Sequence, residues 1–214
     1  MFKFAILVIS ALFNCAVYAV TYSGCTDPKY VSYVEKRLSF YESLDKEQYD
    51  QLSTEMGHNE VHPYHAIVLS ARFDSKEVAL KNIAAFEKQQ LTLPEQVKKL
   101  FLGSDDAFHN LHIAKGWLSL KSGNEEQAIS YLLSSTKVKG SPVLGSFGPD
   151  KTLIRELYKR GDKEAVLNYL ALVESFWHSD SAKEYLKTWR KMAAVDCPIQ
   201  FQFYDTTSIV DLGL

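Results

Sequence analysis

The chain lacks the local signatures of the common enzyme classes. It has no Gly-x-Ser-x-Gly elbow, no Cys-x-x-Cys, no Gly-rich phosphate loop and no dinucleotide-binding fingerprint. Nothing local therefore announces a nucleophilic serine, a thiol redox pair or a nucleotide site. A charge excess of either sign is missing too: beyond residue 19 there are 23 basic and 26 acidic side chains. That balance gives no general pull on nucleic acid or anionic lipid, so neither is expected as a partner. No Asn-x-Ser/Thr sequon occurs. After the first residues no apolar run approaches the ~20 residues of a transmembrane helix. Cysteine is scarce as well, with three in the chain.

What is present begins with an exported leader. Lys3 precedes the apolar run Phe4 to Phe13, and Val17 and Ala19 offer small residues at the −3 and −1 positions of a cleavage site. Residues 1–19 read as a signal peptide, and the run is short for the alternative, a membrane anchor. The expected location is periplasmic, cell-envelope associated or secreted. Cys15 falls within the leader, which leaves Cys25 and Cys197 at either end of the helical body. Two cysteines in an exported chain are expected to pair. Closing so long a loop stabilises by roughly 4–5 kcal/mol in chain-entropy terms. The alternative is a lipid anchor on Cys25, because Tyr22-Ser23-Gly24-Cys25 ends like a lipoprotein box; Tyr22 stands where such a box has a small aliphatic residue.

Between those cysteines the pattern is helical. Thr26-Asp27-Pro28 reads as a cap with proline at the first helical position, followed by Val31, Val34, Leu38, Tyr41 and Leu44 at spacings of three and four. Further helices are predicted at 46–56, 62–72, 76–88, 94–102, 105–122, 125–136, 151–160, 163–177 and 181–195. The stretch from Lys121 to Leu132 realigns with Lys159 to Leu170, 38 residues on, with five of twelve positions identical. Each copy is a helix, a tight turn and a second helix. Such a unit cannot bury its apolar face alone and is expected to stack on its neighbours.

Taking Gly123 as the turn glycine, Gly116 falls at the small position of the first helix and Ala128, Leu132, Ser135 at the small, large, small positions of the second. The Gly161 unit places Ile154 and then Val166, Leu170, Val173 there, and a worn copy has Ala79, Ile83 and Phe86. This weave resembles tetratricopeptide repeats. The resemblance implies an all-α fold: an α-solenoid of tetratricopeptide-like helical hairpins over residues 20–198, with a short extended C-terminal tail, 199–214. Within the tail, Ile199 to Tyr204 alternates apolar and polar residues as a strand does; with no evident partner strand, it is expected either to lie along the helices or to add to an edge in another protein.

A Gly, Pro and Ser-rich linker, Gly140 to Asp150, interrupts the regularity. With Phe176-Trp177 it resembles a bacterial family of tetratricopeptide-like proteins that carry a Gly-Ser-Pro…Ser-Phe-Gly-Pro loop and a Phe-Trp helix end. That family has no assigned activity, so the resemblance carries over no catalytic residue and no cofactor. The linker is either a binding loop that presents Ser146, Phe147 and Pro149, or a spacer whose Leu144 and Phe147 fold onto the core. Trp117, Trp177, Trp189, Tyr131 and Tyr169 recur at helical spacing and read as packing.

Two constellations remain. The first helix of each tetratricopeptide hairpin lines the concave groove, and here it carries Arg72, Lys121 and Lys159 at one repeat position, with Asn110, Lys151 and Arg155 nearby. Those groups suit a carboxylate or an acidic peptide; cations in a last helical turn also simply answer the helix dipole. The second constellation is histidine: His58, Glu60, His62 and His65 in eight residues, and His109 with His112 on one helix. Imidazole and carboxylate suit zinc or iron, which defines the alternative of a metal-dependent enzyme. Pro63 inside the first cluster and the lack of His-Glu-x-x-His count against it, and no metal is assigned. The function expected is a non-enzymatic protein-interaction scaffold of the cell envelope, with a protein or peptide partner of acidic character.

Overall fold

Apolar residues at spacings of three and four organise the chain into helices throughout. A computed structural model describes residues 25, 27–51, 63–92, 94, 96 and 104–202, and among them every regular element is α-helical, with no strand. The helices are α1 (Pro28–Gln51), α2 (Pro63–Phe73), α3 (Lys76–Thr92), α4 (Ser104–Lys121), α5 (Glu125–Ser134), α6 (Pro142–Phe147), α7 (Thr152–Arg160), α8 (Lys163–Val173) and α9 (Asp180–Ala194). The expected leader, 1–19, and the expected helix at 94–102 fall outside the described residues, apart from Pro94 and Gln96. No helix among the described residues is long and apolar enough to cross a membrane.

Caps set the helix starts. The Asn124 side chain accepts the Gln127 N–H at 3.0 Å, and Ser179 does the same for Ala182 at 3.2 Å. Gly161 ends α7 in the left-handed conformation, φ 97°, where a Cβ would be strained. Each helix packs chiefly on near neighbours: α2 on α1, α3 and α4; α4 on α5; α5 on α7 and α8; α7 on α8; and α8 on α9. Ala79, Ile83 and Phe86, then Ala128, Leu132 and Ser135, then Val166, Leu170 and Val173 are all buried at the helix–helix contacts, as the repeat offsets require. Gly116 sits so tightly that a Cβ there would lie 2.4 Å from Leu153 Cδ2.

Three sequence expectations are corrected. The helices predicted at 28–44 and 46–56 are one: α1 runs through Leu44-Asp45-Lys46 to Gln51. No glycine or proline breaks it there, and Lys46 pairs with Asp50 one turn on. Helix α8 stops at Val173 rather than Trp177; the Ser175 hydroxyl donates to the Leu172 carbonyl at 2.8 Å and competes with the helical ladder. The linker is not irregular throughout, since Ser141 caps a short helix with Pro142 at its first position.

The tail takes the first of its two expected courses. Residues 199–202 form no strand but lie against the helices, with Ile199, Gln200 and Phe201 buried. Side chains take the carbonyls a partner strand would use. Tyr158 donates to Cys197 O at 2.7 Å, Tyr30 to Pro198 O at 2.9 Å and the Arg155 Nε to Gln200 O at 3.0 Å. Phe201 has φ 56°, which breaks an extended run. Phe201 then closes an aromatic cluster with Trp189 (5.6 Å) and Tyr158 (5.7 Å).

Candidate functional site

The face that carries the repeated cations lies under α1. Helix α1 begins beside the tail, where Cys25 is bonded to Cys197, and its far end packs on α2. A sulfur engaged in that disulfide has no valence left for a thioether lipid, so the bond and the lipid-anchor reading exclude each other. Glu42 and Asp45, three residues apart on α1, reach the body: Asp45 meets Arg72 at 2.6 Å and Glu42 meets Lys159 at 2.7 Å. Near the end of α1 the Tyr49 ring packs on Phe73, centroids 5.7 Å apart. Burial and a hydrogen bond to the Asp74 carboxylate raise the Tyr49 hydroxyl well above its ordinary range.

The sequence-nominated residues are placed unequally. The Arg72 side chain is 7% exposed and lies over the Phe73 ring at 4.7 Å and Trp117 at 5.6 Å. Lys121 is exposed, but its ammonium donates to the carbonyls of Asp74 (2.7 Å) and Arg72 (3.3 Å), so one repeat caps the helix of the preceding one. Arg155 is buried; burial lowers its basicity, with the carboxylates of Asp150, Asp45 and Glu42 acting against that and Arg72 adding to it. Arg72, Arg155 and Lys159 therefore share one electrostatic neighbourhood with two carboxylates of α1. Asn110 is set apart, buried with its amide on the Asp106 carbonyl at 2.9 Å. Lys151 also stands elsewhere, donating to the carbonyls of Pro149 (3.1 Å) and Phe147 (3.4 Å) and lying over Trp177 at 5.3 Å. Burial pushes its pKa down to about 8.

The linker resolves residue by residue. Phe147 is 65% exposed and Ser146 is exposed, whereas Pro149 and Leu144 are buried. Gly148, at φ 76°, sits flat on Trp177; a Cβ there would come within 2.6 Å of the ring. The linker is pinned from α4: Asp105 accepts the Lys139 N–H at 3.1 Å and Asp106 accepts the Ser141 hydroxyl at 2.7 Å.

His109 is the third pin. Its Nδ1 lies 3.0 Å from the Ser135 carbonyl, which only accepts, so Nδ1 carries the proton. Its Nε2 accepts the Asp150 N–H at 3.1 Å. Full burial, opposed by the Ser135 contact, pushes its pKa down to about 4. Both ring nitrogens are committed to main chain, and none is left to coordinate an ion. Asp150 is half-buried, and the desolvation would raise it, but two hydrogen bonds from Thr152 (2.8 and 2.6 Å), with the field of Arg72, hold its carboxyl low. His112 engages the Phe108 carbonyl of its own helix at 2.9 Å, and His65 stacks on Tyr64 at 4.6 Å. Among the described residues no group of three His, Cys, Asp or Glu side chains is placed to hold a metal. His58, Glu60 and His62 lie outside the described residues.

Sequence reasoning missed Glu42, Asp45, Tyr30, Tyr158 and Asp150. Asp45 fell in the expected break between two helices, so the spacing of three from Glu42 on one helix was not read, and neither was a target 27 and more residues away. Compared with known proteins, the chain matches no family model, no curated protein and no solved structure.

Proposed function

We propose that this chain is an exported, non-enzymatic protein-interaction module whose hairpins stack as a tetratricopeptide-like α-solenoid in the periplasm or at the cell envelope. One observation carries the reading. Three helical hairpins bury residues at the same three offsets in their second helices, although Phe86 stands where the later copies have Ser135 and Val173, and α2 and α7 bring Arg72, Arg155 and Lys159 towards the same α1 carboxylates. A repeat array holds its partner across such a face, because neighbouring units present equivalent side chains at a regular spacing. The partner is a protein or peptide with carboxylates, the group that Arg and Lys bind best through charge-assisted hydrogen bonds. A second contact point is the loop tip, where Phe147 stands clear of the core.

The test is affinity capture from the native envelope with three baits. These are the native chain, a Lys121→Glu/Lys159→Glu variant, and Phe147→Ser, each first shown to be folded. Both lysines and Phe147 are exposed, so none of these changes disturbs the core. Loss of one specific partner with the lysine variant places binding on the basic face, and loss with Phe147→Ser places it on the loop. Equal recovery by all three baits removes both surfaces from the account.

A further inference from the structure

We infer that the outward face of α1 is a self-pairing surface, on which a second copy of this chain lays its own α1 antiparallel. This surface is separate from the basic face and the loop tip considered above. Its first ground is a contrast between the first and last helices among the described residues. The solvent side of α9 is polar, with Ser181, Lys183, Glu184, Lys187 and Lys191 exposed and no exposed large apolar side chain. A helical array that ends in water ends on such a surface. Helix α1 does not: Tyr33, Phe40 and Leu44 are 48%, 49% and 43% exposed.

These side chains are not scattered. At 3.6 residues per turn, Tyr33, Lys36, Phe40, Leu44 and Glu47 fall within about 80° of arc. The stripe faces away from Val34, Leu38 and Tyr49, which are buried against the body. Charges nearer the body are used within the chain, since Glu42 pairs with Lys159 and Asp45 with Arg72. Lys36 and Glu47 are exposed and form no ion pair among the described residues.

The second ground is symmetry. A two-fold interface needs each group and its counterpart to lie equally far from one point on the helix. Phe40 and Leu44 are centred on position 42, and Lys36 and Glu47 between positions 41 and 42. One antiparallel register therefore satisfies both pairs. It sets Phe40 against Leu44 of the second copy, and Lys36 against Glu47 of the second copy, each contact occurring twice. A parallel register would instead put Lys36 against Lys36 and Glu47 against Glu47. The apolar pair excludes water and the flanking charges fix the direction, as in an antiparallel helix seam. One helix pair is small for a stable interface, so the dimer dissociates on dilution through the micromolar range.

The experiment is sedimentation velocity of the full chain across micromolar to millimolar concentrations. The native chain is expected to pass from monomer to dimer. Phe40→Glu weakens association at least about tenfold, because a charge then faces the apolar centre. Lys36→Glu sets carboxylate against carboxylate at both ends of the seam and weakens association about fivefold. Lys36→Glu/Glu47→Lys in one chain restores the native affinity, since both pairs re-form with their signs exchanged. Leu172→Ser, at an exposed apolar residue of α8, leaves association unchanged. Circular dichroism checks the helix content of every variant. Should Phe40→Glu unfold, Leu44→Gln replaces it, with loss of the dimer again expected.

A chain that stays monomeric at every concentration overturns the inference and leaves the stripe to another occupant. A dimer that Phe40→Glu leaves intact overturns it too, as does a double variant that associates no better than Lys36→Glu alone. These measurements need no cellular partner, so their failure is read apart from failure of the affinity capture.

Discussion

Gly148→Ala separates two costs that usually arrive together. The backbone there has φ 76°, and an added Cβ would stand 2.6 to 2.8 Å from three atoms of the Trp177 ring. The ring cannot step aside. It is buried, with Tyr185 at 6.1 Å and Trp189 at 5.9 Å, and the Lys151 ammonium lies 5.3 Å from its centre. With ψ −177° this positive-φ backbone is open to glycine almost alone and costs an alanine about 1–3 kcal/mol, and overpacking a fixed ring adds about 1–3 kcal/mol. The sum is roughly 2–6 kcal/mol. Two other glycines serve as references. Gly161 has φ 97° and ψ 7°, the left-handed helical conformation, with nothing within 4 Å of an added Cβ, so Gly161→Ala measures a positive-φ cost of about 1–2 kcal/mol without any clash. Gly145 lies within α6 with ordinary space at 3.8 Å from the Phe176 carbonyl, and Gly145→Ala is expected to be neutral or stabilising by up to about 1 kcal/mol. Urea denaturation followed by far-UV circular dichroism reads all three, with the slope checked to be unchanged. Equal losses for Gly148→Ala and Gly161→Ala would refute the placement of the linker on Trp177.

Two further outcomes follow from the site. Arg72→Ala leaves Asp45, about one-third exposed, without the guanidinium 2.6 Å away and removes one cation from the field at Asp150, and is expected to cost about 2–4 kcal/mol after allowance for solvent at Asp45. Lys159→Ala breaks an exposed pair and should cost at most about 1 kcal/mol in the same urea assay. For acid sensitivity the sign is set by His109, whose folded pKa of about 4 lies below its unfolded value of about 6.5. Between those values the unfolded chain holds a proton that the folded chain does not, so stability falls as pH falls through that window. The loss reaches roughly 3 kcal/mol by pH 4. His109→Gln should flatten that part of the pH profile, and an unchanged profile would show that another group governs it.

The recurrence of Gly123 and Gly161, with their following small–large–small triplets, was enough to mark the hairpins α4–α5 and α7–α8 and to name the side chains that meet inside them. Such contacts are local, formed between residues fewer than about forty positions apart, and their periodicity is written along the chain. The pairing of Cys25 with Cys197 was legible as an expectation, because setting Cys15 aside in an expected leader leaves one internal pairing. The alternation from Ile199 to Tyr204 could not choose between a strand and a segment laid along the helices, because period two reports which side chains can be buried on one face and says nothing of what accepts the main chain. Here the acceptors were spoken for by Tyr30, Tyr158 and Arg155, which come from α1 and α7.

The candidate face shows the same division. Sequence alone marked the cations that recur at the ends of the first helices. Only the tertiary structure decided that Glu42 and Asp45 share one helix and meet them, that Arg72 and Arg155 are buried, and that Lys121 caps a neighbouring helix. It also decided that His109 is an anchor for the linker rather than a ligand, since a ring nitrogen declares its role only through the atom that faces it. Helical propensity and packing offsets act over one or two turns of chain. Charge pairing and burial depend on which distant surfaces are brought together, and a linear pattern holds no record of that distance.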